Sequence, residues 1–145
     1  MTEQTTKTPR RSRAREIALQ ALYRIDLNPA TTAEELEAFL RGRLGHPALV
    51  SFAGQLVAGV RHHRAELDAL LDSRADHWRV ARMAATDRAI LRLAAFELLH
   101  GDVPGPVAAD EAIELAKRYG TEASARFVAG LMGRLVADRR AAPAS

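Results

Sequence analysis

The sequence predicts an all-α fold of about seven helices. Apolar residues recur every three or four positions along most of the chain, no segment sustains the alternation expected of β-strands, and proline or glycine separates the apolar stripes. The chain has 145 residues, which suits one domain or two tightly packed subdomains. Hydrophobic residues make up 48% and charged residues 27%, the balance of a globular protein and not of a disordered chain.

The first predicted helix begins at Arg10 and ends before Asn28-Pro29. Residues 1–9 are polar and are expected to form a disordered tail. The residue before a proline avoids the helical region, so Asn28 is a natural stop. The buried face of this helix should carry residues spaced as i, i+3, i+4, i+7, i+8 and i+11, namely Ala14, Ile17, Ala18, Ala21, Leu22 and Ile25.

Capping signals predict the next helices. Thr32 followed by Glu35 fits a capping box at the start of the second helix. Pro47 suits the first turn of a third helix, whose stripe includes Phe52. Residues 64–72 either continue that helix or begin a fourth. Several short helices joined by short loops are therefore expected in the first half of the chain.

The second half contains the widest apolar helix. Thr86 is expected to cap it, with Asp87 in the first turn facing the positive end of the helix dipole. Its apolar surface exceeds one face, so this helix should lie at the centre of the core. Residues 101–106 (GDVPGP) are the clearest loop. Gly120 is expected to end the sixth helix in the left-handed conformation and Thr121 to cap the seventh, before a frayed end at residues 141–145.

Several classes of function are disfavoured by what the sequence lacks. There is no cysteine, which excludes disulfides, thiolate metal sites and thiol nucleophiles. No glycine-rich phosphate motif occurs and no two histidines stand four residues apart, so we expect no cofactor, no metal and no catalysis. The adjacent His62 and His63 are expected to be solvated. Because no apolar run approaches the roughly 20 residues of a membrane span, a cytoplasmic location is expected.

Arginines at the start of the first helix are the most informative feature. The net charge is only +3, yet 19 of the 21 basic residues are arginine, and Arg10, Arg11, Arg13 and Arg15 fall within six consecutive positions. Four guanidinium groups so close together repel one another and lie near the positive end of a helix dipole. An anionic partner would explain the arrangement. On composition alone a merely solvated surface explains it equally well, and RNA, DNA or an acidic protein would fit.

Two blocks of sequence resemble the NusB family of transcription antitermination proteins. The first is RRSRAREIALQALY, from Arg10 to Tyr23, in which an arginine run precedes A-R-E and then Q-A-L-Y. The second runs from Ala85 to Met132 and contains D-R-A-I-L-R-L-A, the D-V-P loop, E-A-I-E-L-A-K followed by Gly120, and R-F-V-A-G. Trp78 also falls where the family tends to carry tryptophan. Two blocks in this order and at this separation make the resemblance specific to the family.

The resemblance implies an all-helical fold of two small subdomains packed crosswise. These would be an N-terminal subdomain at about residues 10–63 and a C-terminal one at about 64–140, within one domain over 10–140. It also implies binding to boxA-type single-stranded RNA of ribosomal RNA operon leaders, together with the ribosomal protein NusE. In that assembly RNA polymerase resists termination, and the chain itself is not an enzyme.

The resemblance also assigns roles to particular residues. The RNA-contacting arginine run of the family corresponds to Arg10, Arg11, Arg13 and Arg15. Phe127 corresponds to an aromatic residue that can stack on an unpaired base, although a core role beside Val128 and Leu131 is an equal alternative. The NusE-facing surface corresponds to Tyr23, Asp87 and Arg88, and for Asp87 a purely helix-capping role is the alternative.

Two positions depart from the family pattern, and two other functions remain open. Ala129 replaces the usual asparagine of F-V-N-G, and Ala123 stands where an acidic residue is common, so RNA affinity and base preference are left undetermined. One alternative is the RNA-binding module of a ribosomal RNA methyltransferase, which the lack of a cofactor segment disfavours. The other is a helical adaptor that forms homodimers, with the arginines merely solvated.

Overall fold

The computed structural model describes the backbone of residues 2–75 and 78–141 and the side chains of residues 10–75 and 78–139. Within those ranges it contains seven α-helices, one short 3-10 helix at Val80–Arg82 and no strand, which confirms the predicted all-α fold. In chain order the α-helices are α1 (Thr2–Leu27), α2 (Ala33–Arg43), α3 (Pro47–His62), α4 (Arg64–Arg74), α5 (Ala85–His100), α6 (Gly105–Tyr119) and α7 (Glu122–Ala141).

The chain divides into two compact units, Met1–Arg61 and His62–Ser145. In the first unit α1 packs against α2, and the side chains of Ala14, Ile17, Ala18 and Ala21 are fully buried. In the second unit α5 contacts α4, α6 and α7. Every side chain of α5 from residue 89 to 98 except Phe96 is buried, which confirms that α5 is the central helix of its unit.

Local sequence signals explain the starts of α2, α3 and α7. Thr32 Oγ1 accepts a hydrogen bond from the backbone N–H of Glu35, and Glu35 Oε1 accepts one from the backbone N–H of Thr32, so the predicted capping box is confirmed. Pro47 is the first residue of α3, as predicted. Thr121 Oγ1 likewise accepts from the backbone N–H of Ser124 at the start of α7. Each contact satisfies a backbone donor that the helix itself leaves without a partner.

Two of the predicted helix signals are wrong. Helix α5 begins at Ala85 after the N-cap Ala84, so Thr86 lies inside the first turn and does not cap the helix. Gly120 ends α6 with φ −104°, not in the left-handed conformation. Glycine is required at residue 120 for a steric reason instead, because a Cβ atom there would stand 2.6 Å from Ser124 Cβ and 2.7 Å from Ser124 Oγ. The Ser124 side chain that caps α7 therefore also excludes a side chain at residue 120.

A partly buried ion pair joins α4 to α5 in the second unit. Arg92 donates from Nε and Nη2 to the two carboxylate oxygens of Asp68, at 2.7 and 2.9 Å. The Arg92 side chain is 8% exposed, so this bidentate geometry compensates a charge that would otherwise be costly to bury. Arginine in the middle of the central helix is thus compatible with the core.

The ends of the chain are described only in part. The tail expected over residues 1–9 stays a prediction: α1 is assigned from Thr2, but Met1 and the side chains of residues 2–9 lie outside the description. The frayed end over residues 141–145 also stays a prediction, since residues 142–145 lie outside it. Within the described ranges, none of the helices combines the length and the apolar character needed to cross a bilayer.

Candidate nucleic-acid interface

The arginine cluster (Arg10, Arg11, Arg13 and Arg15) lies on the described start of α1. Arg10, Arg11 and Arg13 are exposed, whereas Arg15 is only 3% exposed. Ala14 and Ile17, on the packed side of the same helix, are fully buried. The exposed guanidinium groups are therefore carried by a helix whose opposite side is held by the core of the first unit, and not by a free tail.

Phe52 of α3 orients two members of the arginine cluster. The guanidinium carbon of Arg11 lies 4.6 Å from the centroid of the Phe52 ring, and that of Arg15 lies 5.4 Å from it. Both distances are within the range of a cation–π contact, in which the electron-rich ring face attracts the cation. The i, i+4 spacing of Arg11 and Arg15 places both on the side of α1 that faces this ring. Phe52 thereby draws together two charges that repel each other.

A salt bridge holds the third exposed member. Arg13 Nη1 lies 3.0 Å from Glu16 Oε1, and the Arg13 side chain is 51% exposed while that of Glu16 is 9% exposed. Because Arg13 is half-exposed, a phosphate can approach its guanidinium group from solvent while the pair with Glu16 is kept.

A second aromatic ring organises arginines in the same unit, and sequence reasoning missed it. Phe39 of α2 has the guanidinium carbons of Arg43 and Arg24 at 4.8 and 5.6 Å from its centroid. Arg43 Nη1 also donates to Gln20 Oε1 of α1, at 3.3 Å. The sequence signal for Phe52 and Phe39 was only an apolar stripe, since pairing an aromatic ring on one helix with arginines on another requires the tertiary structure.

The remaining predicted site residues lie at several places in the fold. Phe127 of α7 is half-buried next to the fully buried Val128. Tyr23, near the end of α1, is 40% exposed. Arg88 Nη1 donates to the backbone carbonyl oxygens of Met83 and Val80, at 3.2 and 3.4 Å, so it braces the segment that leads into α5.

Asp87, in the first turn of α5, has one carboxylate oxygen in an unusual environment. Its Oδ1 is buried and has no hydrogen-bond partner among the described residues. A buried acceptor without a donor costs free energy, and native structures rarely keep one without a reason. Asp87 belongs to the second unit with Arg88 and Phe127, whereas the arginine cluster and Tyr23 belong to the first.

Comparison with known families decides the identity of this fold. The family model described as the NusB family matches residues 12–137, which is most of the chain and includes Arg13, Arg15 and every other predicted site residue except Arg10 and Arg11. The chain belongs to the NusB family. The transcription antitermination protein NusB of Myxococcus xanthus is 45% identical over 130 residues, covering 86% of this chain and 93% of that protein.

Solved structures show the same NusB fold. The structure of T. maritima NusB superimposes with a TM-score of 0.78 at 33% sequence identity, covering 88% of this chain and 91% of that one. The antitermination factors NusB and NusE in complex with dsRNA include a chain that matches with a TM-score of 0.80 at 23% identity, covering 90% and 98%. The predicted resemblance to the NusB family is thus confirmed by sequence and by fold.

Proposed function

We propose that this NusB-family chain is a non-catalytic, RNA-binding transcription antitermination factor. It binds boxA-type single-stranded RNA of ribosomal RNA operon leaders together with NusE, and the assembly helps RNA polymerase to resist termination. Membership of the NusB family supports the general role. The fold is shared with a chain of the complex of antitermination factors NusB and NusE with dsRNA, which supports NusE and RNA as classes of partner. The observation that carries the proposal is the arginine cluster, two members of which, Arg11 and Arg15, are held against Phe52.

The geometry assigns different tasks to the four arginines. Arg10, Arg11 and Arg13 are exposed and would contact phosphates directly, since guanidinium groups match phosphate oxygens in shape and charge. Arg15 is buried, so it would act as a positioning residue that shares the Phe52 ring with Arg11. Three phosphate contacts to a single strand give a log–log dependence of affinity on salt with a slope of about −2.

Phe127 and the NusE-facing residues complete the proposal. Phe127 is half-buried, so part of its ring is accessible for stacking on an unpaired base. NusE would contact Tyr23, whose ring is exposed, and the start of α5, where Asp87 is half-buried. Arg88 would support this surface by bracing the segment before α5. Self-association of the chain remains a prediction without a structural argument.

Fluorescence anisotropy with a boxA-type RNA and a scrambled RNA tests the function. We expect the boxA-type RNA to bind more tightly at every salt concentration, and NusE to increase that preference. Equal and weak binding to both RNAs, unchanged by NusE, would contradict the proposal.

A matched pair of variants tests the site. Replacing Arg10 and Arg11 by glutamine should reduce the salt slope from about −2 to about −0.7, because one phosphate contact remains. Arg41→Gln is the control, since Arg41 is an exposed arginine of the same unit that pairs with Glu37 on α2. If the control flattened the slope as much as the double variant, net charge and not the arginine cluster would carry the binding. Circular dichroism should show both variants to be helical.

A further inference from the structure

The second unit contains a cluster of three metal-ligating side chains, which we call the His–Glu cluster: His63, Glu66 and His100. His63 immediately precedes α4, Glu66 lies in the first turn of α4, and His100 is the last residue of α5. The fold thus brings Glu66 next to His100, which is 34 residues later in the sequence. The cluster is unrelated to the arginine cluster, which lies in the first unit.

The ligand atoms of the His–Glu cluster converge on one carboxylate oxygen. Glu66 Oε1 lies 3.1 Å from His63 Nδ1 and 2.9 Å from His100 Nε2. One ligand atom from each residue lies within 4.8 Å of the other two. Tetrahedral zinc with bonds of about 2.0–2.1 Å holds neighbouring ligand atoms roughly 3.3 Å apart. The two nitrogen-to-oxygen separations are already close to that value, and a small rotation of the imidazole rings would bring the nitrogens to it.

The rings of the cluster are ordered by their neighbours. The imidazoles of His63 and His100 stack with centroids 4.0 Å apart and an interplanar angle of 21°. Phe96 lies beside both, with its centroid 5.8 Å from that of His63 and 5.5 Å from that of His100. An apolar wall of this kind fixes ligand orientation and limits the access of water from one side.

Access to the cluster is open on the other side. The side chains of His63 and His100 are each 31% exposed, and that of Glu66 is 52% exposed. An ion could therefore enter from solvent without unfolding either helix. Two imidazoles and one carboxylate leave a coordination position for water, which is the ligand set of an exchangeable zinc-type site and not of a closed structural one.

We propose that His63, Glu66 and His100 form a three-ligand site for a divalent transition-metal ion of the zinc type, with water completing the coordination. Imidazole nitrogen suits zinc and its neighbours in the first transition row, whereas magnesium and calcium prefer oxygen ligands alone. A bound ion ties the start of α4 to the end of α5, so it stabilises the second unit by binding only the folded state.

Calorimetric titration of the full chain, free of any histidine tag, with zinc chloride tests the proposal. We expect saturable binding of one ion per chain and a rise in the melting temperature with zinc concentration. His100→Gln and Glu66→Gln should each weaken binding by more than about tenfold, because each removes a direct ligand. His46→Gln is the matched control, since His46 is an exposed histidine of the other unit, and it should leave the affinity unchanged.

A second measurement uses the unmodified chain and therefore does not depend on whether a variant folds. Paramagnetic Co²⁺ should broaden the NMR signals of the His63 and His100 imidazoles before those of His46. Absence of saturable zinc binding would show that the cluster is only a hydrogen-bonded clasp between α4 and α5. Binding that survives in both variants, or broadening centred on His46, would equally overturn the proposal.

Discussion

At the scale of single residues, Phe52 shows how an apolar side chain can organise charge. Its ring faces the guanidinium groups of Arg11 and Arg15, at 4.6 and 5.4 Å. Leucine at this position would retain an apolar side chain but would remove the electron-rich face that attracts the cations. A cation–π contact at a half-exposed site contributes about 0.5–1 kcal/mol. Orientation of Arg11 should therefore be lost while the packing of α3 is largely retained.

We expect Phe52→Leu to lower the affinity for boxA-type RNA about two- to fivefold, the equivalent of that cation–π energy. The measurement is fluorescence anisotropy, with circular dichroism melting to verify the fold. Phe39→Leu is the control, because it removes the same kind of ring from Arg24 and Arg43. Equal losses in the two variants would show that ring loss acts through general destabilisation.

Substitution of Gly120 and of Gly130 by alanine should change the free energy of unfolding in opposite directions. A Cβ at Gly120 would stand 2.6 Å from Ser124 Cβ and 3.0 Å from the carbonyl oxygen of Ala116, whereas a Cβ at Gly130 meets nothing within 4 Å. Gly120→Ala should therefore lower the free energy of unfolding by about 1–3 kcal/mol through overpacking. Gly130→Ala, inside α7, should raise it by up to about 1 kcal/mol by restricting the unfolded chain. Chemical denaturation measures both, and changes of the same sign would contradict the steric explanation.

At the scale of elements, the capping box of α2 gives a pH dependence with a defined sign. The backbone N–H of Thr32, with a smaller contribution from its hydroxyl, holds the pKa of Glu35 below its ordinary value of 4.5. A carboxyl group whose pKa is lower in the folded state stabilises that state above the ordinary pKa. This contribution is lost as the pH falls from about 4.5 through the lower pKa of the folded state. The start of α2 should loosen in that window.

NMR titration of the Glu35 side-chain carboxyl carbon checks this expectation, with a midpoint predicted below 4.5. In Thr32→Ala the midpoint should rise only part of the way, because the backbone donor remains. In Glu35→Gln the stability should depend less on pH within the same acidic window. A midpoint at or above 4.5 in the unmodified chain would rule out this role for the capping box.

The elements also show which features the sequence could predict. Signals that act within a few residues, such as the Thr32–Glu35 box, Pro47 and the stop at Asn28, are readable because both partners stand in one short segment. The sequence correctly placed Gly120 at a helix end, but the requirement for glycine comes from the Ser124 side chain, which leaves no room for a Cβ atom at residue 120. The Phe52 contacts and the His–Glu cluster each join residues of two different helices, so no local sequence pattern predicts them.

At the scale of the whole molecule, residues with proposed roles occur in each of the two units. The arginine cluster and Tyr23 belong to the first unit, whereas Phe127 and Asp87 belong to the second. If NusE raises the affinity for RNA, RNA must raise the affinity for NusE by the same factor, because the coupling free energy is reciprocal. Substitution of a residue that contacts NusE should thus change the affinity for RNA only when NusE is present.

Asp87→Ala separates this role from a structural one. The substitution removes a buried acceptor that lacks a donor, which relieves a cost, and also removes a favourable charge from the first turn of α5. Because these effects oppose each other, the free energy of unfolding should change by less than about 1 kcal/mol. The affinity for NusE should nevertheless fall fivefold or more, roughly the effect of losing one charge-assisted hydrogen bond at an interface. RNA binding without NusE should be unchanged.

Asp110→Ala provides the comparison for Asp87→Ala, since Asp110 is an exposed aspartate on α6 of the same unit. Calorimetry with NusE, anisotropy with boxA-type RNA in the presence and absence of NusE, and chemical denaturation together give the four quantities needed. A large loss of stability with NusE affinity intact would make Asp87 a helix-start residue only. Equal losses of NusE affinity in the two variants would instead indicate a general effect of charge on this unit. A loss confined to Asp87→Ala would show that Asp87 serves the contact with NusE.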